Sequence, residues 1–486
     1  MPEPISQHFL DNLLQRMLRL QAQPGIGKKA LGVADWDRDL WQMGRTWLKS
    51  HGCDSTSSSF PMGGDLYLAT QLYANGGHTA LIGDFVHALD AGGMHSRLIL
   101  TDINTRCPHP LPAEIIERVG LPAENITILA GPSLDERLDQ LMERIQAQKP
   151  RRLFLFHHPE DPLASIVSQP EFAEQRFLVH HSDSSPTFGL HLPGMQIIEL
   201  NPIAAAMSRL LGLDSALLPL CAEDPGPRSG GFLRNGHLIT ASCGSQHKFT
   251  SSFFYTYPET VALVLRTTGG EHVHIGPLSA ATLRQIHGAL AERQIPACRF
   301  IHVPWTRSVS ACLWEHGCDV YLASFPVDGA RTNAEVLASA TPHLRFSHRA
   351  EDFWIEGAQT WRTWEELTVR LRELACEEVL AEKSHLMRQA YKDQHHPDIF
   401  ALTLRDIVDG GMGWIDAHQG LRDQRIVHSL LKSLTTTLTS QAQTLDVLQE
   451  QNRLMKSELD GLKPEIMGKN PPPTPLTRFL RWLKRC

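Results

Sequence analysis

Between Cys298 and Leu344 the sequence CRFIHVPWTRSVSACLWEHGCDVYLASFPVDGARTNAEVLASATPHL holds the pattern with the most definite chemistry. An apolar run, a loop, a helical stretch and a second apolar run lead into the turn Val327-Asp328-Gly329-Ala330, which opens a helix at Arg331-Thr332-Asn333-Ala334-Glu335. Amides at a helix start have no partner inside the helix and lie at the positive end of its dipole. With the Thr332 hydroxyl and the Arg331 guanidinium they make a cradle for a diphosphate. A plain strand-to-helix connection, which often contains one glycine, is the competing reading.

Three further strings carry usable groups. In VHHSDSSPTFG, His181 and Asp183 stand at the end of an apolar run, where histidine suits removal of a proton from an acceptor hydroxyl; polar strand ends also commonly just satisfy loop backbone. In GHLITASCGSQHKF an apolar strand ends in Ser242-Cys243-Gly244-Ser245 and reaches Lys248, a cation for an anionic ligand or simply a solvated lysine. In NGGHT, Gly76, Gly77 and His78 precede an amphipathic helix, and the small residues let backbone approach a substrate. The pairs His157-His158, His180-His181 and His395-His396 suggest metal, but neighbours on a strand point to opposite faces, so no structural zinc is expected.

From Asp319 to Pro342 the order aspartate, apolar, Leu, small, Phe-Pro, glycine-containing turn, Thr, Glu, small residues and proline resembles the donor-site region of GT-B glycosyltransferases. The likeness is to the branch holding the O-GlcNAc transferases and related bacterial enzymes. It spans about residues 65 to 400 and is strongest over 236–344. The resemblance implies two Rossmann-like α/β domains facing across a cleft, a nucleotide-sugar donor and no metal or other cofactor. It implies donor contacts from Gly329, Ala330, Arg331, Thr332 and Glu335, with the loop of His302 and Trp305 beside the nucleotide base. It also puts Ser242, Gly244 and Lys248 in the donor loop, Lys248 offsetting charge on the departing diphosphate, and Gly76, Gly77 and His78 on the acceptor side. Catalytic roles are expected for His181, Asp183, Lys248 and Glu335. Retaining members often have two glutamates seven residues apart, the second seven before a proline. Glu335 and Pro342 match the second, whereas Val327 occupies the place of the first, which tilts the expectation toward inversion.

The elements that must position these groups follow a repeating order. Short apolar runs at 97–100, 126–129, 153–156, 177–179 and 197–200 alternate with helix-length stretches, and a second series lies near 238–239, 273–275, 300–303 and 320–322. Such alternation predicts two parallel sheets wound with helices, whose ligands sit where strand ends and helix starts converge. The expected segments are a helical extension over 1–64, a first Rossmann-like domain over 65–220, a Pro- and Gly-rich linker over 221–235 and a nucleotide-sugar domain over 236–420. In the extension Phe9, Leu13, Leu14, Met17 and Leu20 form an apolar stripe. Leucines three and four apart predict a coiled coil over 421–463, hence a homo-oligomer. A Pro-rich hinge and a basic amphipathic tail fill 464–486, with an anionic membrane surface as the tail's expected partner.

Bulk composition narrows the class. A net charge of -7 argues against a nucleic-acid binder, which needs a cationic surface. The N-terminus lacks the pattern of a secretory signal, and nine unpaired-looking cysteines suit a reducing, cytoplasmic setting, peripheral on the membrane's inner face if the tail docks. The expected activity is transfer of a hexose or N-acetylhexosamine to a glycan, lipid-linked or protein acceptor. A nucleotide-sugar epimerase of the same architecture and an inactive coiled-coil scaffold are the alternatives.

Overall fold

The computed structural model describes residues 7–22, 33–53, 64–74, 76–90, 95–182, 185–228, 230–250, 255–325, 328–347 and 358–414. The expected coiled coil, hinge and tail lie outside these residues, as does Asp183. The described residues fall within one compact unit, Met1–Val427.

Two wholly parallel sheets organise the chain. The first contains β1 (Asp65–Ala69), β2 (Arg97–Leu100), β3 (Ile126–Ile128), β4 (Arg152–Phe156), β5 (Gln175–His180), β6 (Gln196–Glu199) and β7 (Ser215–Leu217), in the order β3-β2-β1-β4-β5-β6-β7. The second contains β8 (Thr240–Cys243), β9 (His272–Ile275), β10 (Phe300–Val303), β11 (Val320–Leu322), β12 (His343–Phe346) and β13 (Gln359–Trp361), in the order β10-β9-β8-β11-β12-β13. Parallel neighbours need crossovers, and the amphipathic helices between strands supply them.

Five expected runs in the first half and three in the second coincide with strands. The run at 238–239 directly precedes β8, which begins at Thr240. β1, β7, β12 and β13 were not expected. β1, DLYLA, is buried along its whole length, yet begins with an aspartate that masks the apolar signal. Arg152 explains it: its guanidinium holds Asp65 by two hydrogen bonds, 2.6 and 2.8 Å, at the end of β1 and β4 opposite their carboxyl ends.

Helices Gln7–Ala22 and Ala34–Ser50 belong to the core on one face of the first sheet, where Leu10, Leu13, Met17, Leu40 and Trp47 meet Leu138, Leu141 and Phe172. Leu10, rather than Phe9, takes the inward place: 10, 13 and 17 share one helical face and Phe9 is 38% exposed. The opposite face packs under the helix Gly77–Leu89 and, unexpectedly, under the last helix among the described residues, Pro397–Val408. Phe400, Leu404, Ile407 and Val408 join Phe85 there, so the chain returns to its first sheet after building its second. Among the described residues no helix is long and apolar enough to cross a membrane.

Candidate functional site

Strand order reverses between β1 and β4 in the first sheet and between β8 and β11 in the second. At such a point successive connections leave to opposite faces and open a crevice at the carboxyl ends of the strands. The candidate residues gather at these two crevices.

In the first crevice the loops are pinned from below. Buried Asp161 accepts hydrogen bonds from the hydroxyls of Thr70, at 2.7 Å, and Thr101, and from the amide of Leu163. Thr79 exchanges two hydrogen bonds with the backbone of Tyr73, at 2.8 and 2.9 Å, which fixes the turn between β1 and its helix. That turn presents Tyr73 and His78. The His78 Nε2–H donates to the Phe156 carbonyl at 2.8 Å, so Nδ1 carries the lone pair, and it has no partner among the described residues. His181 lies 4.5 Å from His78, ring centre to ring centre, and His158 stacks on Tyr73 at 5.8 Å. Burial, with His158 nearby and only partly offset by Phe156, pushes His78 down to about 4. Burial and the neighbouring histidines hold His181 well below the usual range. Both rings are therefore neutral at neutral pH. His180, one residue earlier, faces the other way and binds the Glu199 carboxylate at 2.9 Å.

The second crevice is shaped by close backbone approaches. A Cβ at Gly276 would fall 2.4 Å from the Gly244 carbonyl, and Gly244 itself has φ +151, so both positions require glycine. Lys248 Nζ donates to the Asp328 carbonyl at 3.4 Å, and Gly329 N donates to the Asp328 carboxylate at 2.6 Å. Asp328 in turn pairs with Arg345 at 2.8 Å. The helix Arg331–Ala338 begins without a side-chain cap, as does Gly77–Leu89. Glu335 Oε2 accepts from Val309 N at 2.8 Å; burial raises its carboxyl, with Val309 and then Arg331 pulling the other way. His302 Nε2–H donates to Gly276 at 2.9 Å and so braces the glycine loop, while Trp305 beyond it is 61% exposed.

Arg331 does more than the sequence suggested. Its guanidinium pairs with Asp84 in the first half, through Nη2 to Oδ1 at 3.2 Å and Nη1 to Oδ2. A Cβ on Gly77 would lie 3.6 Å from that of Arg331, so two uncapped helix starts meet between the crevices. Arg118 stands near both Arg331 and Glu335 and donates to the Ala74 carbonyl at 2.8 Å. Ser242 instead serves the sheet: it is buried and donates to the Leu322 carbonyl at 2.8 Å. The structure thus brings Gly244, Lys248, Gly329, Ala330, Arg331, Thr332 and Glu335 to one crevice and Gly76, Gly77, His78 and His181 to the other.

Sequence reasoning missed Asp84, Arg118, Tyr73 and His158. It also missed a buried relay under the glycine loop. The Thr240 hydroxyl donates to the Glu271 carbonyl at 3.2 Å, so it accepts from His272 Nδ1 at 2.8 Å. His272 Nε2 then accepts from Tyr257 at 3.1 Å, and Tyr257 accepts from His274 Nδ1 at 2.6 Å. The histidines two apart in HVHIG, on one face of a strand, were the available signal. Among the described residues no group of three or more His, Cys, Asp or Glu side chains is placed to hold a metal.

No protein-family model matches the chain, and no curated protein matches it in sequence. Solved structures do match in shape. HepE from Anabaena, crystallised with UDP and glucose, aligns with TM-score 0.54 and 8% identity over 71% of this chain and 99% of its own. A glycosyltransferase from Rickettsia africae aligns with TM-score 0.51 and 9% identity over 71% and 97%. The N-terminal domain of trehalose-6-phosphate phosphatase from Candida albicans gives 0.50 and 10% over 73% and 98%. Two parallel sheets wound with helices, together with these likenesses, show that the chain has a GT-B glycosyltransferase-like fold.

Proposed function

We propose that the chain is a glycosyltransferase that takes a hexose or N-acetylhexosamine from a nucleotide sugar and delivers it to an acceptor hydroxyl. One observation carries the reading: the uncapped helix starts at Gly77 and Arg331 meet at the two points where strand order reverses. A diphosphate there would be met by free amides and the positive ends of two helix dipoles. HepE, crystallised with UDP and glucose, supports the reading as a protein of similar fold.

In the proposed reaction the acceptor oxygen attacks the anomeric carbon as the bond to the diphosphate breaks, the bonding electrons leaving with the nucleoside diphosphate. The acceptor proton passes to a neutral imidazole, His78 Nδ1 or His181. Lys248, the Thr332 hydroxyl and the amides beginning Arg331–Ala338 offset charge on the leaving group. Arg331, engaged by Asp84, holds the halves in register. Incubating the purified chain with a panel of nucleotide sugars and reading nucleoside diphosphate release tests this. Release is expected for at least one donor; silence across donors and acceptors would overturn it.

A further inference from the structure

We infer that Tyr73, His158, His181 and His78 form a platform for the sugar ring of an acceptor, so that the acceptor is a glycan. The inference rests on the glycosyltransferase reading and narrows its acceptor.

Tyr73 is 38% exposed although its polar end is fully engaged. Its hydroxyl meets His158 Nε2 at 3.0 Å and receives the Gln71 amide, and its ring stacks on His158 at an interplanar angle of 14°. The hydrogen bonds between Thr79 and the Tyr73 backbone hold the ring in place. An aromatic ring fixed by its edge and presented to solvent at a ligand crevice suits the weakly positive C–H face of a pyranose. Beside it, His181, whose Nδ1 lies 3.4 Å from the Val179 carbonyl, keeps its Nε2 lone pair to accept a hydrogen bond from a ligand hydroxyl.

The surrounding charge favours a neutral polyol. Glu160 lies 3.7 Å from His158. Burial works against its charge, but hydrogen bonding to His158 and its own amide more than offsets that, so it is held below the usual carboxylate range. A carboxylate there accepts hydroxyl protons and repels a phosphate. The nearby cations lie outward or toward the donor side: Arg106 is exposed, and Arg118 faces the Arg331–Asp84 pair. A peptide adding to the sheet needs an edge strand, whereas β1, β4 and β5 are interior. His78 directly follows Gly77, on which a Cβ would lie 3.6 Å from that of Arg331, so a ring on the platform would lie beside the donor cradle.

The test uses the full chain and saturation-transfer NMR with cellobiose, lactose, maltose and N,N′-diacetylchitobiose, against a serine-containing peptide and farnesyl phosphate. At least one disaccharide should bind. Tyr73→Leu, which keeps apolar volume without a ring, should weaken it by roughly tenfold, and Tyr73→Phe should keep it within about threefold. Binding of the peptide or farnesyl phosphate alone, binding of nothing, or disaccharide binding indifferent to Tyr73→Leu would each overturn the inference. UDP and GDP binding, read without any acceptor, separates this outcome from failure of the glycosyltransferase reading itself.

Discussion

Asp84 and Arg331 are ion-paired across the two halves of the chain, each with less than a fifth of its side chain exposed (17% and 16%). Burial raises the Asp84 carboxyl even though Arg331 pulls the other way, so the carboxylate depends on that partner. Arg331→Gln should therefore destabilise more than an exposed substitution, because it leaves a largely buried charge uncompensated. In a double-mutant cycle with Asp84→Asn, measured by denaturant unfolding, the pair should couple by at least about 1 kcal/mol. Additive single effects would show that the contact holds nothing together.

Lys248→Ala and Glu335→Gln should each lower transfer by at least roughly tenfold, the loss of about 1.4 kcal/mol of transition-state stabilisation. Both proteins should fold. Steady-state assays in which both variants turn over normally would move the donor site elsewhere.

His78 should titrate near 4 rather than near the usual 6.5. Its folded value is lowered, so the unfolded chain takes up this proton first. The stability it contributes is complete above about 6.5 and is lost as pH falls from there toward 4. If His78 accepts the acceptor proton, transfer should hold its rate on the acid side down to about pH 5. An NMR titration of the His78 ring with a midpoint near 6.5 would contradict the structure.

Tyr257→Phe removes the hydroxyl that links His272 to His274 beneath the Gly244 loop. Stranding buried ring nitrogens should cost about 1–3 kcal/mol. Hydrogen exchange at the amides of residues 243–248 should quicken, and nucleoside diphosphate binding should weaken with it. Exchange unchanged from wild type would show that the relay does not hold the loop.

How much of this was legible in the sequence depended on the distance over which each signal acts. Strands β2, β4, β5 and β6 were visible because both faces of an interior parallel strand are apolar, the edge strand β3 by its two isoleucines, and the helix at Arg331 because glycine and threonine mark its start. β1 was hidden by Asp65, whose burial makes sense only with Arg152 beside it, 87 residues away. The donor-side residues lay close together in sequence and were readable as one motif. The platform draws Tyr73, His158 and His181 from three crossovers, and Arg331 meets Asp84 across 247 residues, so no local pattern marks either. The histidine pair 157–158 was seen only as a failed metal motif, when the useful fact was that the second ring faces Tyr73.

The return of Pro397–Val408 to the first sheet also sets the order of biosynthesis. During translation the strands up to β7 are complete long before Phe400, Leu404 and Ile407 exist, so the face of the first sheet that they cover stays wet until the second sheet has been made. Neither half can be cut out as a contiguous fragment: one ending at 220 lacks its final helix, and one beginning at 236 carries that helix with nothing to cover it. The dependence runs one way: the first half reaches its finished core only after the chain has run through the second, whereas the clusters on the two faces of the second sheet draw on residues 232–380 alone.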